Sequence, residues 1–285
     1  MQIPSFELLG QSLLSGLFIG GLYGLLGLGL SLSWGMLRQI NLAHFALAFL
    51  GAYLTYQLSE HVKLDPFVTM IVIVPGFFVI GMAMHWVFAR FKVSPFNSLL
   101  VTFGLAVIIE SLIQWIWSAD YRKLESSYSD IKFQVGQLFL PLPELLTLLI
   151  AIALSIATWA VLRFTAVGKA MRAMSENPRI ASAFGINEPL LALLLSGAAS
   201  AFAGVAGACL ALSFTLAPSQ IYAWVGVVFS AVMIGGLGNP LGPLIAGIVI
   251  GLSEAATMAI TAPAWAPLVS FSLLIAVLLL RPGKV

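Results

Sequence analysis

Two carboxylates, Glu110 and Glu254, stand inside long apolar runs, "LLVTFGLAVIIESLIQWIW" and "LIAGIVIGLSEAATMAI". A charged carboxylate facing hydrocarbon is costly, so each must face protein or water, and each is a candidate for contact with a polar solute or for carrying a proton. The plainer alternative is a neutral side chain hydrogen-bonded to a neighbouring helix. Asn41 and His44 are three residues apart and share a helix face, where they could meet a solute or hold a broken segment together. A proton relay through His44 needs a partner that the sequence does not identify, so a backbone hydrogen bond is the expectation for it.

Other chemistry finds no support. His61 and His85 have no second ligand at useful spacing, and the single Cys209 can form neither an internal disulfide nor a cysteine metal cluster, so no metal site is expected. There is no HExxH, no Gly-x-Ser-x-Gly and no spaced serine, histidine and acid set. Neither Gly168-Lys169 nor Gly283-Lys284 completes a phosphate-binding loop. Catalysis by this chain is not expected, and no cofactor is expected on it.

The elements that must position these residues are membrane helices. Of 285 residues, 60% are hydrophobic and 8% charged, against roughly 25% charged in an ordinary soluble domain. Apolar runs of about 20 residues, the length that spans a bilayer core, recur from end to end with no long polar linker. We therefore expect an all-α integral membrane protein, one domain over 1–285, because helices satisfy their own backbone groups in lipid. Spans are expected near Leu9–Trp34, Asn41–Leu58, Pro66–Ala89, Pro95–Ser118, Leu142–Leu162, Pro189–Ser213, Tyr222–Leu237, Leu241–Ile260 and Trp265–Leu280. The second and seventh are short and polar or glycine-rich at an end, so either could be broken or re-entrant, and eight crossings is the alternative count. No basic residue precedes Arg38, so the first run lacks the start of a cleaved signal peptide and is expected to remain.

Threading nine spans puts Arg38, Arg90, Lys92, Arg163, Lys169, Arg172, Arg179, Arg281 and Lys284 on one side, nine of thirteen basic residues. That side is expected to be cytoplasmic, with the C-terminus inside and the N-terminus outside. A net charge of +2 with scattered basic residues excludes nucleic acid as a partner. Trp115, Trp117, Tyr121, Tyr222 and Trp224 fall at outer helix ends, where amphipathic rings suit the headgroup layer.

Gly16, Gly20 and Gly24 are spaced by four and leave one face of the first span without side chains, and Gly247 and Gly251 repeat the spacing in the eighth. Another helix or a solute can approach such a backbone closely. Gly20 and Gly24 join Asn41, His44, Glu110 and Glu254 as candidates for a translocation pathway. The stretch "AVGKAMRAMSENPRIASAFGIN", within a loop at about 166–188, is polar yet carries Met171, Met174, Ile180, Ala183 and Phe184. Two short amphipathic helices are expected there, with Asn177 as a cap, Pro178 as a first helical residue and Gly185 at a left-handed C-terminal position. Its apolar face needs a cover, either a soluble partner, the bundle itself or the membrane surface.

Gly168, Met171, Arg172, Ala173, Pro178, Ala181, Gly185 and Ile186 match the pattern GxxMRAxxxxPxxAxxxGI, and the stretch resembles the cytoplasmic coupling loop of permease subunits of the branched-chain amino acid type ABC importers. "GLYGLLGLGLSLSWGMLRQINLAHF" resembles that family's opening span, with Asn41, Ala43 and His44 matching and Phe45 standing where glycine is usual. "GGLGNPLGPLIAGIVIG" is similar to its late glycine-rich turn. The resemblance covers essentially the whole chain. It implies a bacterial cytoplasmic (inner) membrane protein that pairs with a second permease, more often a different chain, and sits among membrane lipid. It also implies two ATPase subunits carrying ATP and Mg, an extracytoplasmic solute-binding protein, and inward movement of branched-chain or related small amino acids, amides, urea or small carboxylic acids. Gly168, Met171, Arg172, Asn177, Pro178, Phe184 and Gly185 would then serve ATPase coupling. A proton-coupled secondary transporter using Glu110 and Glu254 is the alternative that the residues leave open.

Overall fold

Proline and capping side chains set where the helices begin. Asp65 accepts a hydrogen bond from the Phe67 N–H at 2.8 Å just before Pro66, and Ser94 accepts one from Asn97 at 3.2 Å just before Pro95. Each satisfies an otherwise orphaned first-turn donor, while proline gives up an N–H that has no helical partner there. Farther along, Asn187 caps Leu190 at 3.2 Å in the same way.

The computed structural model describes residues 5–280. In chain order the elements are α1 (Phe6–Leu37), α2 (Ala43–His61), α3 (Pro66–Arg90), α4 (Pro95–Trp117), β1 (Lys132–Val135), β2 (Leu138–Pro141) and α5 (Leu142–Phe164). They continue with α6 (Ala166–Glu176), α7 (Pro178–Ala183), α8 (Glu188–Ser213), α9 (Ala223–Gly235), α10 (Gly242–Ile260) and α11 (Ala266–Leu280). The antiparallel pair β1–β2, turning at Gly136, is the only sheet among the described residues and was not expected from the sequence.

Eight stretches are long and apolar enough to cross a membrane, with the 3-10 turns at Pro218–Gln220 and Pro263–Trp265 extending α9 and α11. The ninth long helix, α2, is less apolar, but its 19 residues rise about 28 Å, close to the roughly 30 Å hydrocarbon core. It runs from a start tied to α4 (Leu42 N–H to Thr102 Oγ1, 3.0 Å) to a far end where Gln57 accepts from Trp117 Nε1 at 2.8 Å. Thus α2 runs as an unbroken helix alongside α4 from the level of Thr102 to that of Trp117. Its residues from Ala43 to Phe49 are all buried, so it meets protein and not lipid. α9 is the short one, about 20 Å at 1.5 Å per residue, closed by the turn from Gly235 to Gly242.

The centre is α1, α2 and α8. α1 packs along α10, with α8, α5 and α9 on its other sides, and α8 lies between α1, α2 and α3. Outward faces of α3, α4, α5 and α11 are apolar and exposed, as at Val79, Ile108, Ile156 and Ile275. In a membrane protein that is the surface that meets lipid or another subunit.

Contacts sort the helix ends into two groups. One end gathers the C-termini of α1, α3, α5 and α9 with the N-termini of α2, α4, α8 and α10, and carries α6 and α7. Arg38, Arg90, Lys92, Arg163, Lys169, Arg172 and Arg179 all lie there, while Arg281 and Lys284 lie outside the described residues. The opposite end holds the β-hairpin, clasped to α1 by Gln11, whose amide bonds both the N–H and the carbonyl of Phe139 at 2.9 and 3.0 Å. At this end Trp115 and Tyr121 are exposed, as interfacial rings should be. Trp117 and Trp224 are not: Trp117 is buried against Tyr53, and Trp224 packs edge-on to Tyr23 and Phe214.

Candidate functional site

The loop between α5 and α8 is a folded unit. Thr165 ends α5 by donating to Val161 O at 2.6 Å and starts α6 by accepting from Gly168 N–H at 3.0 Å. Asn177 closes α6 through its N–H to Ala173 O at 3.0 Å and opens α7 through Oδ1, which accepts from Ile180 N–H at 3.2 Å. Pro178 is the first residue of α7, and Gly185 after it has φ +83°, which a side chain would disfavour.

Two faces result. Met171 and Met174 point inward and pack with Leu162 of α5, Leu191 and Leu195 of α8 and Met36 of α1 in a second hydrophobic cluster. Gly168 also faces inward, and a Cβ there would collide with the Val161 carbonyl and Leu162 backbone. The other face is open: Phe184 is 84% and Ile180 57% exposed, beside the exposed Lys169, Arg172 and Arg179. The bundle thus covers the methionines and leaves Phe184 and Ile180 uncovered.

Inside the bundle the candidate polar residues do not converge. Glu254 on α10 is buried and bonded from two helices: Tyr23 of α1 donates to Oε2 at 2.9 Å, and the Ser270 hydroxyl of α11 donates to Oε1. Glu110 is half-buried on α4, which packs on α2 and not on α10, with Gln114 donating to it at 3.3 Å. His44 is buried and its Nε2–H donates to Leu26 O of α1 at 2.9 Å, so it fastens α2 to α1. Asn41 sits in the turn before α2, its Oδ1 buried without a hydrogen-bond partner. Gly20 and Gly24 face α10 and not an open passage: a Cβ on Gly20 would fall 2.6 Å from Gly247 O, and one on Gly24 2.6 Å from Leu244 Cα. The glycine face is filled by another helix's backbone, the close approach that small residues permit.

Two adjoining clefts of about 500 Å³ each open at the hairpin end and share Ile19 and Phe214. One is lined by Tyr23, Thr215, Gln220 and Trp224, so the Tyr23 hydroxyl links it to Glu254. The other holds Ser12, Ser15 and Glu144, whose Oε2 is buried without a partner. Neither Glu144 nor Tyr23 is among the residues singled out from the sequence. The signal available for Glu144 was its place in the first turn of a membrane helix; for Tyr23 there was none, since its partner is 231 residues away.

Comparison with known proteins finds similarity along nearly the whole chain. The family described as "Branched-chain amino acid transport system / permease component" matches residues 12–278. The high-affinity branched-chain amino acid transport system permease protein LivH of Salmonella typhimurium is 26% identical over 95% of this chain and 93% of its own. BraD of Pseudomonas aeruginosa, with the same description, is 23% identical over 95% and 94%, and a probable branched-chain amino acid transport permease of Methanocaldococcus jannaschii is 28% identical over 90% and 86%. No solved structure matches the chain.

Proposed function

The chain belongs to the branched-chain amino acid transport permease family, and from that premise we propose that it is the transmembrane subunit of an ATP-driven importer for branched-chain or related small amino acids. The observation that carries this reading is the α6–α7 unit: rigidly anchored inward by Met171 and Met174, yet presenting Phe184 and Ile180 with Arg172 and Arg179 outward. A helix pair that is fixed to the bundle and apolar on its free face suits transmission of force from a soluble subunit. Arg172 would pair with acidic groups of that subunit. Gly168 and Met171 would act through the bundle, and Asn177, Pro178 and Gly185 by keeping the unit in shape.

In this reading two ATPase subunits, carrying ATP and Mg, dock on α6–α7, and a second, different permease chain pairs with this one in the lipid of the cytoplasmic membrane. A separate binding protein delivers solute at the hairpin end. The concentration of basic residues at the α6–α7 end supports a cytoplasmic assignment for it. ATPase closure would rock the two permeases so that the hairpin-end clefts and the opposite end open in turn. Asn41, His44, Glu110 and Glu254, with Gly20 and Gly24 in the α1–α10 seam, are candidates for the surfaces that move.

The test is purification of the tagged chain in mild detergent with whatever accompanies it, followed by ATPase assays and uptake in liposomes. Recovery of ATPase subunits, lost when Ile180 and Phe184 are both replaced by aspartate, supports the importer. A chain that alone accumulates amino acid with a proton gradient and no ATP would establish the secondary carrier instead.

A further inference from the structure

A cleft of about 470 Å³ lies at the other end of the molecule, between the α6–α7 unit and the bundle. Its walls are the C-terminus of α1, the last turns of α3, the α6–α7 junction and the first turns of α8. That is ample for a small metabolite. Three of its lining groups are ionisable: Arg38 beyond the end of α1, Glu188 at the start of α8 and His85 on α3. The one ion pair among the described residues is Lys63–Glu60, so Arg38 and Glu188 share the cleft without being paired to each other. His85 is only 9% exposed, so the polar lining rests mainly on Arg38 and Glu188. Met36, Trp86 and Leu193 complete the lining with apolar surface.

One cation, one anion and an apolar wall match the chemistry of a free aliphatic amino acid. We propose that this cleft binds such an amino acid at the α6–α7 end. Its carboxylate rests on Arg38, its ammonium on Glu188, and its side chain against Met36, Trp86 and Leu193. Because Met174, Ser175 and Pro178 of the α6–α7 unit form part of the wall, the occupant pins that unit to α3 and α8. Alternation must reshape the cleft between the unit, α3 and α8, and an occupant bonded to several of its walls holds it in one shape, so accumulated product slows further uptake from the side where it arrives. The choice of ligand and of side rests on the importer reading.

The test uses the whole transporter complex in liposomes loaded with ATP, with or without L-leucine inside, and measures initial uptake of labelled leucine delivered by the binding protein. Equilibrium dialysis of labelled leucine against the detergent-solubilised complex, without binding protein, supplies a Kd. At internal leucine about tenfold above that Kd, uptake should fall about tenfold. Arg38→Gln and Glu188→Gln should each relieve the inhibition while uptake into leucine-free liposomes stays normal, and D-leucine inside should have little effect. Absence of any uptake by the unaltered complex would refute the importer reading. Normal uptake with no leucine bound in dialysis, or inhibition that persists in both variants, would overturn the cleft while leaving that reading intact. Dialysis on the unaltered complex decides the matter even if a variant fails to assemble.

Discussion

The Tyr23 hydroxyl donates to Glu254 Oε2 at 2.9 Å, joining the middle of α1 to α10 across 231 residues of sequence. With Ser270 on the other oxygen, the carboxyl group ties three helices together where the glycines of α1 and α10 already bring two backbones into contact. Glutamine can accept one of these hydrogen bonds at its amide oxygen and donate from its amide N–H to the other hydroxyl, whereas alanine can do neither. Glu254→Gln should therefore hold stability within about 1 kcal/mol, while Glu254→Ala should cost about 1–3 kcal/mol by leaving Tyr23 and Ser270 unpartnered. Thermal unfolding in detergent measures both. Uptake retained in a stable Glu254→Gln protein would count against proton carriage by this residue, and uptake abolished there would favour it.

The α1–α10 seam has no room for a side chain. Gly20→Val should destabilise the bundle by about 1–3 kcal/mol or prevent its assembly, because the added carbons meet the Gly247 carbonyl. Gly76→Ala on α3, where nothing lies within 4 Å, should be neutral. Comparing the two by size-exclusion profile and unfolding temperature separates a packing glycine from a merely permissive one.

The two faces of the α6–α7 unit should respond differently. Met174→Ala removes a buried side chain and should cost about 2–5 kcal/mol. Phe184→Ala removes an exposed one and should leave unfolding within about 0.5 kcal/mol of the parent. If Phe184 meets an ATPase subunit, its loss should instead lower recovery of that subunit in pull-downs and the ATPase rate of the complex. Full recovery and full activity would take Phe184 out of the interface.

Asn177 serves two helices at once. Asn177→Ala removes the cap on Ile180 and should cost about 1 kcal/mol locally. Hydrogen exchange followed by mass spectrometry should show faster exchange through 177–183, with Asn177→Asp restoring protection. Unchanged exchange in the alanine variant would mean that packing alone holds α7.

His44 donates to Leu26 O, which already belongs to α1's own ladder, and so acts as a buried clasp between α1 and α2. His44→Gln, which keeps a donor, should retain most stability, and His44→Leu should lose about 1–2 kcal/mol. A proton-relay role would require both to lose transport alike, which uptake assays can read directly.

What the sequence determined by itself was what short-range physics controls. Hydropathy and length mark the spans, since lipid demands about 20 apolar residues and internal backbone hydrogen bonding wherever the chain crosses. Proline, Asn177 and Gly185 mark the α6–α7 unit because capping and φ preference act over a few residues. Family membership, too, was legible in the spacing of Gly168, Met171, Arg172 and Pro178. Tertiary structure alone decided which faces meet. Nothing in a run of glycines says whether a solute or α10 fills it, and nothing in α2's modest hydropathy says that protein will surround it. The methionines and Phe184 look equally apolar in one dimension, yet Leu162 and Leu191 cover only the former. Glu254 illustrates the reason most plainly: a membrane tolerates a carboxyl group only through partners, and Tyr23 and Ser270 become its neighbours only when α1, α10 and α11 pack.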